Sequence, residues 1–228
     1  MLFAKKLKND YGVSLDEKNI NKLVDFTNLN PVATHKDLER FLCTAYKNKY
    51  ACVVVNPVDV EFCKQFIDYK FKSSIKVASV VSFPLGADTI ESKILQIKRA
   101  IKDGADEIDA VITLSKIKMN DWSYLKIELS RLRKACRKKV LKVVIETAVL
   151  TKQEIEKISI LCARARVDYI MTCTGFADGG ASPEVVDIIR SAIKDKCGIK
   201  ASGGIETKAQ AVNLIRIGAS RIGTSREI

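Results

Sequence analysis

Histidine is almost absent from this chain of 228 residues. The one histidine, His35, follows Thr34 where a helix is predicted to begin, and a single imidazole does not indicate a metal site or a catalytic triad. The seven cysteines include no CxxC pair, and their odd number does not fit a disulfide framework. We therefore interpret His35 as a surface residue and the cysteines as reduced thiols, and we expect no metal or other cofactor.

Long apolar runs are also missing. No stretch approaches the roughly 18 residues of a membrane span, and the start, MLFAKKLKND, lacks the long apolar segment of a secretory signal. The composition is 47% hydrophobic and 29% charged, which suits one compact core. We expect one domain over residues 1–228, in a soluble cytoplasmic protein with no membrane partner.

Negative charge is in short supply, because 39 Lys and Arg stand against 27 Asp and Glu and the net charge is +12. Such a field attracts phosphorylated metabolites as well as nucleic acids. The densest basic run, residues 131–139, follows WSYLKIEL at helical spacing, and no aromatic or glycine-rich nucleic-acid module accompanies it. We interpret this run as the exposed face and end of one helix, so nucleic acid is not a favoured partner.

Strand-like and helix-like segments alternate along the whole chain. The predicted strands are short, rich in Val and Ile and nearly continuous in apolar character, as parallel strands covered on both faces must be. They lie at residues 23–27, 51–56, 76–83, 106–113, 141–147, 168–174, 198–202 and 220–225. Helix start signals stand between them at Asn56-Pro57, at Thr151 with Glu154, and at Ser182-Pro183. Eight strands alternating with helices predict an α/β fold, a (β/α)8 TIM barrel.

Two features of this pattern are irregular. A capping box from Ser14 to Glu17 predicts an extra N-terminal helix before the first strand, where it could cover the barrel floor. At the other end, only a few residues follow the eighth strand. The eighth helix is therefore expected to be missing or truncated.

In a barrel of this type the chemistry lies at the carboxyl ends of the strands. The seventh strand ends at Gly203 and Gly204, and the eighth at Gly223, Thr224 and Ser225. Glycines at these two places let backbone amides approach an anion closely, and the fold commonly binds phosphate there. The sequence therefore predicts a phosphate site formed by both loops.

Two charged residues lie inside predicted strands, Asp109 in EIDAV and Lys200 in GIKAS. An unpaired charge would be costly there, so the two form either a buried ion pair or a proton-transfer pair at the barrel mouth. Lys142 is ambiguous, since it could begin its strand at the barrel floor, whereas Glu146 has the strand-end position.

Eight successive motifs resemble those of the deoxyribose-phosphate aldolase family, in the same order and over nearly the whole chain. They are VDFTNLNP, CVVVNP, VASVVSFPLG, GADEIDAVI, LKVVIET, MTCTGF, KASGGIET and RIGTS. The resemblance implies a lyase that reversibly cleaves 2-deoxyribose 5-phosphate to acetaldehyde and glyceraldehyde 3-phosphate, through a lysine Schiff base and without a metal. It also implies a homo-oligomer, a dimer or a tetramer.

The resemblance assigns site residues by position. Asp109 matches the family's proton-relay aspartate, and Lys200 matches a second lysine that lowers the pKa of the Schiff-base lysine and shares in proton transfer. Residues matching positions near the substrate phosphate are Gly175, Gly203, Gly204, Gly223 and Ser225, with Thr224 between the last two. The family's Schiff-base lysine itself corresponds to Met171 in this chain.

Methionine cannot form an imine, because a thioether has no N–H. The resemblance therefore implies an aldolase with impaired or lost catalysis, or else a non-catalytic homologue that binds a phosphorylated sugar. Three explanations of Met171 stay open on sequence alone. The residue is an engineered knock-out, or a natural change in a repurposed homologue, or the nucleophile has moved to Lys200.

Overall fold

The computed structural model describes residues 7–8, 14–15 and 17–228. Two short strands, β1 (Leu7–Lys8) and β2 (Ser14–Leu15), pair antiparallel ahead of the main fold. A 3-10 helix, Glu17–Leu23, follows and leads directly into the first long strand. The predicted helix before the first barrel strand is therefore present, but it begins at Glu17 rather than at Ser14. Ser14 lies in an extended pair, and the helical turn that follows is of the tighter 3-10 type.

Eight parallel strands close into a barrel in which each strand pairs with its neighbour in sequence and the last pairs with the first. The strands are β3 (Val24–Asn28), β4 (Cys52–Val55), β5 (Lys76–Val81), β6 (Glu107–Val111), β7 (Val140–Val144), β8 (Tyr169–Met171), β9 (Gly198–Ser202) and β10 (Arg221–Thr224). Each lies within one residue of a predicted segment or inside it. The predicted (β/α)8 barrel is confirmed.

Eight α-helices surround the barrel, and the connection between β6 and β7 carries two of them. The helices are α1 (His35–Asn48), α2 (Val60–Phe66), α3 (Ile90–Lys102), α4 (Leu114–Lys118), α5 (Trp122–Cys136), α6 (Lys152–Arg164), α7 (Pro183–Ile193) and α8 (Lys208–Ile217). No helix follows β10 in the described part of the chain, as the sequence predicted. No helix among the described residues is long and apolar enough to cross a membrane.

Side-chain oxygens begin several of these helices at the predicted places. Thr151 and Glu154 form a reciprocal capping box at α6, and Ser182 accepts a hydrogen bond from the first turn of α7. Asn56 differs, because it precedes a 3-10 turn, Pro57–Asp59, and its side chain makes no capping bond. His35 begins α1 behind Thr34 and is exposed, stacked on the ring of Phe62 at 4.1 Å between centroids.

Alternation along the strands separates two environments. Outward side chains such as Val53, Val55 and Ile108 belong to the large apolar core between the strands and the helices. Inward side chains form two small apolar clusters and, between them, a group of buried charges. The barrel interior is thus partly polar, and the polar part lies beneath the carboxyl ends of the strands.

Candidate active site

A cavity of about 550 Å³ opens at the carboxyl ends of the strands. All nine residues predicted for the site line it: Asp109, Met171, Gly175, Lys200, Gly203, Gly204, Gly223, Thr224 and Ser225. Apolar side chains, among them Val54, Val80 and Phe83, form the opposite wall. The sequence therefore predicted the location and much of the lining, because strand ends converge at one face of a barrel.

Asp109 and Lys200 are in direct contact. The ammonium Nζ of Lys200 lies 2.6 Å from Oδ2 of Asp109, and both side chains are buried. Both residues also line the cavity. The ion pair that the sequence left as one alternative is present, and both of its residues lie at the cavity wall.

This pair is part of a larger cluster that spans the barrel interior. Lys142 lies at the centre, with Nζ 2.8 Å from Asp25, 2.6 Å from Glu107 and 2.9 Å from Asp109. Lys200 also contacts Oδ2 of Asp25 at 2.7 Å. Arg221 closes the group from the floor side, with contacts of 2.7 Å to Asp25 and 3.2 Å to Glu107.

The cluster is balanced in formal charge. Three carboxylates, Asp25, Glu107 and Asp109, face three cations, Lys142, Lys200 and Arg221. Buried charges persist only when they are paired and hydrogen-bonded, and here each carboxylate contacts at least one cation. A further positive charge introduced at this place would therefore be uncompensated.

The ion pairs, rather than burial, determine the direction in which the pKa values of the cluster are shifted. Burial alone would raise the pKa of Asp25, but Lys142, Lys200 and Arg221 together hold it well below its ordinary value. Asp109 responds in the same way, since burial is outweighed by Lys142 and Lys200 and its pKa is lowered. Burial would lower the pKa of Lys142, but Asp109 and Asp25 raise it well above the usual range.

Met171 stands at the end of β8 beside this cluster. It pairs in register with Lys200 on β9 and with Val144 on β7, so the three side chains share the inner face. The thioether is 5% exposed and packs in an apolar cluster with Val111, Val144 and Phe83. Met171 thus borders both the cavity and the charges, without a proton to exchange.

The neighbouring residues on β8 hold the strand end in place. The Thr172 hydroxyl donates to the carbonyl of Ser202 at 2.8 Å and accepts from the amide of Ser202 at 3.0 Å. Glu146 does not line the cavity. Its Oε2 instead accepts bonds from the amide and the hydroxyl of Thr174, at 3.1 and 2.5 Å. Glu146 therefore orients the loop that carries Gly175.

The two glycine loops are joined to each other. The Thr224 hydroxyl donates to the carbonyl of Ile205 at 2.6 Å, which links the end of β10 to the loop after β9. Gly203 has φ +94°, in the left-handed region that favours glycine. Within the described residues, the amides of Gly203, Gly204 and Ser225 donate to no protein acceptor. They remain available to an anion.

Comparison with known proteins decides the family. The profile of the DeoC/LacD family aldolases matches residues 10–224. The chain belongs to this aldolase family. The deoxyribose-phosphate aldolase of Mycoplasmoides gallisepticum is 40% identical over 210 residues, which cover 92% of each chain.

Solved structures of aldolases share the fold. The aldolase QR15 superimposes with a TM-score of 0.86 at 34% identity, covering 91% of each chain. A tetrameric deoxyribose phosphate aldolase from Aeropyrum pernix gives a TM-score of 0.83 at 29% identity, covering 92% of this chain and 88% of that one. The chain therefore belongs to a family of lyases that includes the deoxyribose-phosphate aldolases.

The part of the chain that the structure describes contains one group of potential metal ligands. Among the described residues, ligand atoms of Asp25, Cys52 and Glu107 lie within 4.8 Å of one another. Lys142 and Arg221 already compensate both carboxylates, and burial raises the pKa of the Cys52 thiol well above its usual range. A cation at this place would meet two existing cations, so the group does not fit a metal site.

Several residues that shape the site were not predicted from the sequence. Asp25, Glu107 and Arg221 belong to the buried cluster, and the signal was present, since each occupies an inward position of a period-2 strand. The ambiguity at Lys142 resolves to an inward, fully buried position. Glu206 and Arg226 at the cavity rim gave no such signal, because loop residues follow no period.

Proposed function

We propose that the cavity binds 2-deoxyribose 5-phosphate, with the phosphate held by backbone amides at residues 203–205 and 223–225. Free amides in both loops and the positive φ of Gly203 support this placement. The sugar then extends along the cavity toward Asp109 and Lys200, the pair suited to exchange a proton with its hydroxyl groups.

The reversible cleavage of this sugar to acetaldehyde and glyceraldehyde 3-phosphate is the reaction of the family, and we propose that this chain performs it poorly or not at all. The observation that carries the proposal is the side chain of Met171, which borders the cavity and the Asp109–Lys200 pair but has no amine. Without an imine, the electrons of the breaking carbon–carbon bond pass to the neutral aldehyde carbonyl, which is a much poorer acceptor than a protonated imine.

Relocation of the nucleophile to Lys200 is disfavoured. Its Nζ lies 2.7 Å from Asp25 and 2.6 Å from Asp109, and imine formation would break both ion pairs. The remaining alternative is a protein that binds a phosphorylated sugar without converting it. The free backbone amides in the two glycine loops and the absence of an amine at residue 171 support this second candidate function as well as they support an impaired aldolase.

Borohydride trapping tests these possibilities. The protein is incubated with acetaldehyde and reduced, and any adduct is mapped by mass spectrometry. We expect no adduct at residue 171 and none at Lys200. A reduced adduct on Lys200 would instead establish relocation and overturn the proposal of impaired catalysis.

The variant Met171→Lys is expected to restore the aldolase reaction. The new amine would be a fourth cation beside a cluster already balanced at three to three, so its charged form is disfavoured and the neutral, nucleophilic form is favoured. The amine attacks the aldehyde carbon and releases water. Asp109, which is hydrogen-bonded to the Lys200 ammonium, then accepts the proton of the hydroxyl on C3 as the C2–C3 bond breaks and its electrons move into the imine to give an enamine. Protonation of the enamine at C2 and hydrolysis release acetaldehyde and the free amine.

We expect cleavage of 2-deoxyribose 5-phosphate to rise by about 10²-fold or more, the lower range of positioned proton transfer. Borohydride should then trap an adduct on residue 171. Met171→Gln, which is similar in length but has no nucleophilic amine, is the matched control and should stay inactive. If Met171→Lys binds the sugar phosphate yet neither cleaves it nor traps an adduct, the binding-protein alternative replaces the impaired aldolase.

Assembly and location are proposed from the family. We propose a cytoplasmic homo-oligomer, a dimer or tetramer, whose ligands are small phosphorylated sugars and aldehydes rather than nucleic acid. The tetrameric relative from Aeropyrum pernix supports the proposed assembly, and the net charge of +12 supports phosphorylated ligands. Light scattering of the purified protein measures the assembly directly.

A further inference from the structure

Four charged residues line the cavity: Asp109, Lys200, Glu206 and Arg226. The two cations differ in what they contact. Lys200 is buried and lies within 2.7 Å of two carboxylates. Arg226 is at the rim, 65% exposed, and in the described part of the chain its nearest carboxylate is that of Glu206, at 3.7 Å. Arg226 is therefore the lining cation whose charge is open to a ligand.

The backbone places Arg226 beside the two glycine loops. Its amide donates to the hydroxyl of Thr224 at 3.0 Å, and that hydroxyl donates in turn to the carbonyl of Ile205 at 2.6 Å. Arg226 directly follows Ser225, whose amide is free. The guanidinium is thus carried by the residue that directly follows the free amide of Ser225 at the cavity wall.

The contact with Glu206 is loose. Nη2 of Arg226 and Oε1 of Glu206 are farther apart than a hydrogen bond allows, and Glu206 is also 65% exposed. Solvent-exposed pairs of this kind contribute little. A phosphate monoester carries nearly two negative charges and offers oxygens that match two guanidinium N–H groups at once. It is therefore the stronger partner for Arg226.

We propose that Arg226 binds the phosphate group of the ligand and that Glu206 is its competing partner in the empty cavity. Arg226 then sets the preference for a phosphorylated over a neutral sugar, and Glu206 weakens binding by occupying the guanidinium. This inference rests on the proposed function, since it names a residue that selects the ligand of the same cavity.

Isothermal titration calorimetry with 2-deoxyribose 5-phosphate tests the role of Arg226. Because the protein with Met171 is expected not to cleave this sugar, its binding can be measured at equilibrium. Arg226→Ala should weaken binding by about 10-fold or more, as expected for lost charge-assisted hydrogen bonds. The affinity of Arg226→Lys should lie between those of the parent and Arg226→Ala, because lysine keeps the charge but lacks the planar pair of N–H donors of a guanidinium. Arg131→Ala, which removes an exposed arginine paired with Glu91 on the outer helices, controls for net charge and should bind as the parent does.

The role of Glu206 is tested by a double-mutant cycle. Glu206→Gln should tighten binding by about 3-fold in the parent and have no effect in Arg226→Ala, because its influence passes through the guanidinium. An equal effect in both backgrounds, or unchanged affinity of Arg226→Ala, overturns the inference while the proposed ligand stands.

Inorganic phosphate and unphosphorylated 2-deoxyribose are titrated in parallel. Binding of inorganic phosphate that depends on Arg226, without binding of the sugar phosphate, supports the inference and overturns the proposed function. A parent protein that binds none of these ligands overturns both.

Discussion

Lys142 is the residue on which the buried cluster depends most. It is fully buried and lies within 2.9 Å of three carboxylates, from strands on opposite sides of the barrel interior. Removing one partner of a buried ion pair leaves an uncompensated charge, which costs far more than the pair itself contributes.

We therefore expect Lys142→Met to lower the free energy of unfolding by about 3–5 kcal/mol. Urea denaturation followed by circular dichroism measures the change. Lys116→Met is the matched control, since Lys116 pairs with Asp121 at 3.2 Å in a partly exposed position and should change stability by less than about 1 kcal/mol. Equal effects of the two substitutions would contradict a structural role for the cluster.

At the residue scale, position along a strand and the pairing of Asp109 with Lys200 were predictable, but the further partners of Lys200 were not. The strand ends identified Asp109, Lys200 and Met171 as neighbours at one face of the barrel. The contact of Lys200 with Asp25 joins β9 to β3, and such a contact depends on barrel closure and strand tilt. No local pattern in the sequence contains that information.

At the scale of elements, the loops after β8 and β9 approach each other closely. A Cβ added at Gly180 would lie 2.4 Å from the carbonyl oxygen of Gly203, in a place where the amide of Ala181 already donates to that oxygen. Only a residue without a side chain fits between these two backbones. Gly180 thereby fixes the loop that presents the amide of Gly203.

We expect Gly180→Ala to push the two loops apart, with a loss of about 1–3 kcal/mol in stability and weaker binding of 2-deoxyribose 5-phosphate. Urea denaturation and titration calorimetry measure the two effects separately. Gly104→Ala is a useful comparison, because Gly104 has φ +105° and an added Cβ would lie 2.8 Å from Cγ of Lys64, so the substitution should also lower stability, but it lies away from the cavity and should leave binding unchanged. If Gly180→Ala destabilises the protein but binds the ligand normally, the loop contact does not position the phosphate amides.

Strands and most helix starts were predictable because their signals are local. Runs of Val and Ile define the strands, and Thr151 and Ser182 carry their capping bonds within one helical turn. The start of the N-terminal helix was predicted too early because Ser14 and Leu15 pair with Lys8 and Leu7 in an antiparallel ladder. That pairing holds Ser14 extended, and the helix that follows begins at Glu17 and is of the 3-10 type.

At the scale of the whole molecule, the excess positive charge belongs to the surface, because the buried cluster is neutral. Of 39 Lys and Arg residues, three belong to the cluster and are matched by three carboxylates. The remaining charge creates a positive field around a cavity that we assign to a phosphorylated ligand. Association should therefore slow as ionic strength rises, which stopped-flow measurements with the sugar phosphate would detect.

The buried cluster also makes stability depend on pH in a defined direction. The pKa values of Asp25 and Asp109 are lowered from their ordinary value of 3.8 in the folded protein. Their contribution is therefore complete above pH 3.8 and is lost as pH falls below it, because the unfolded chain then binds protons that the folded chain does not. The pKa of Lys142 is raised above 10.5, so its contribution is complete below pH 10.5 and is lost only as pH rises through the higher folded value.

Asp25→Asn separates this effect from general acid denaturation. At pH 7 the variant should be less stable than the parent by about 3–5 kcal/mol, since three buried cations then face two carboxylates. Below pH 3.8 the difference should shrink by up to about 1.4 kcal/mol per pH unit, because only the parent loses the contribution of Asp25. Urea denaturation of both proteins from pH 7 to pH 3 measures the gap, with the exposed Asp195→Asn as control. A gap that stays constant over this range would mean that the pKa of Asp25 is the same in the folded and the unfolded protein, and that the neighbouring cations do not lower it.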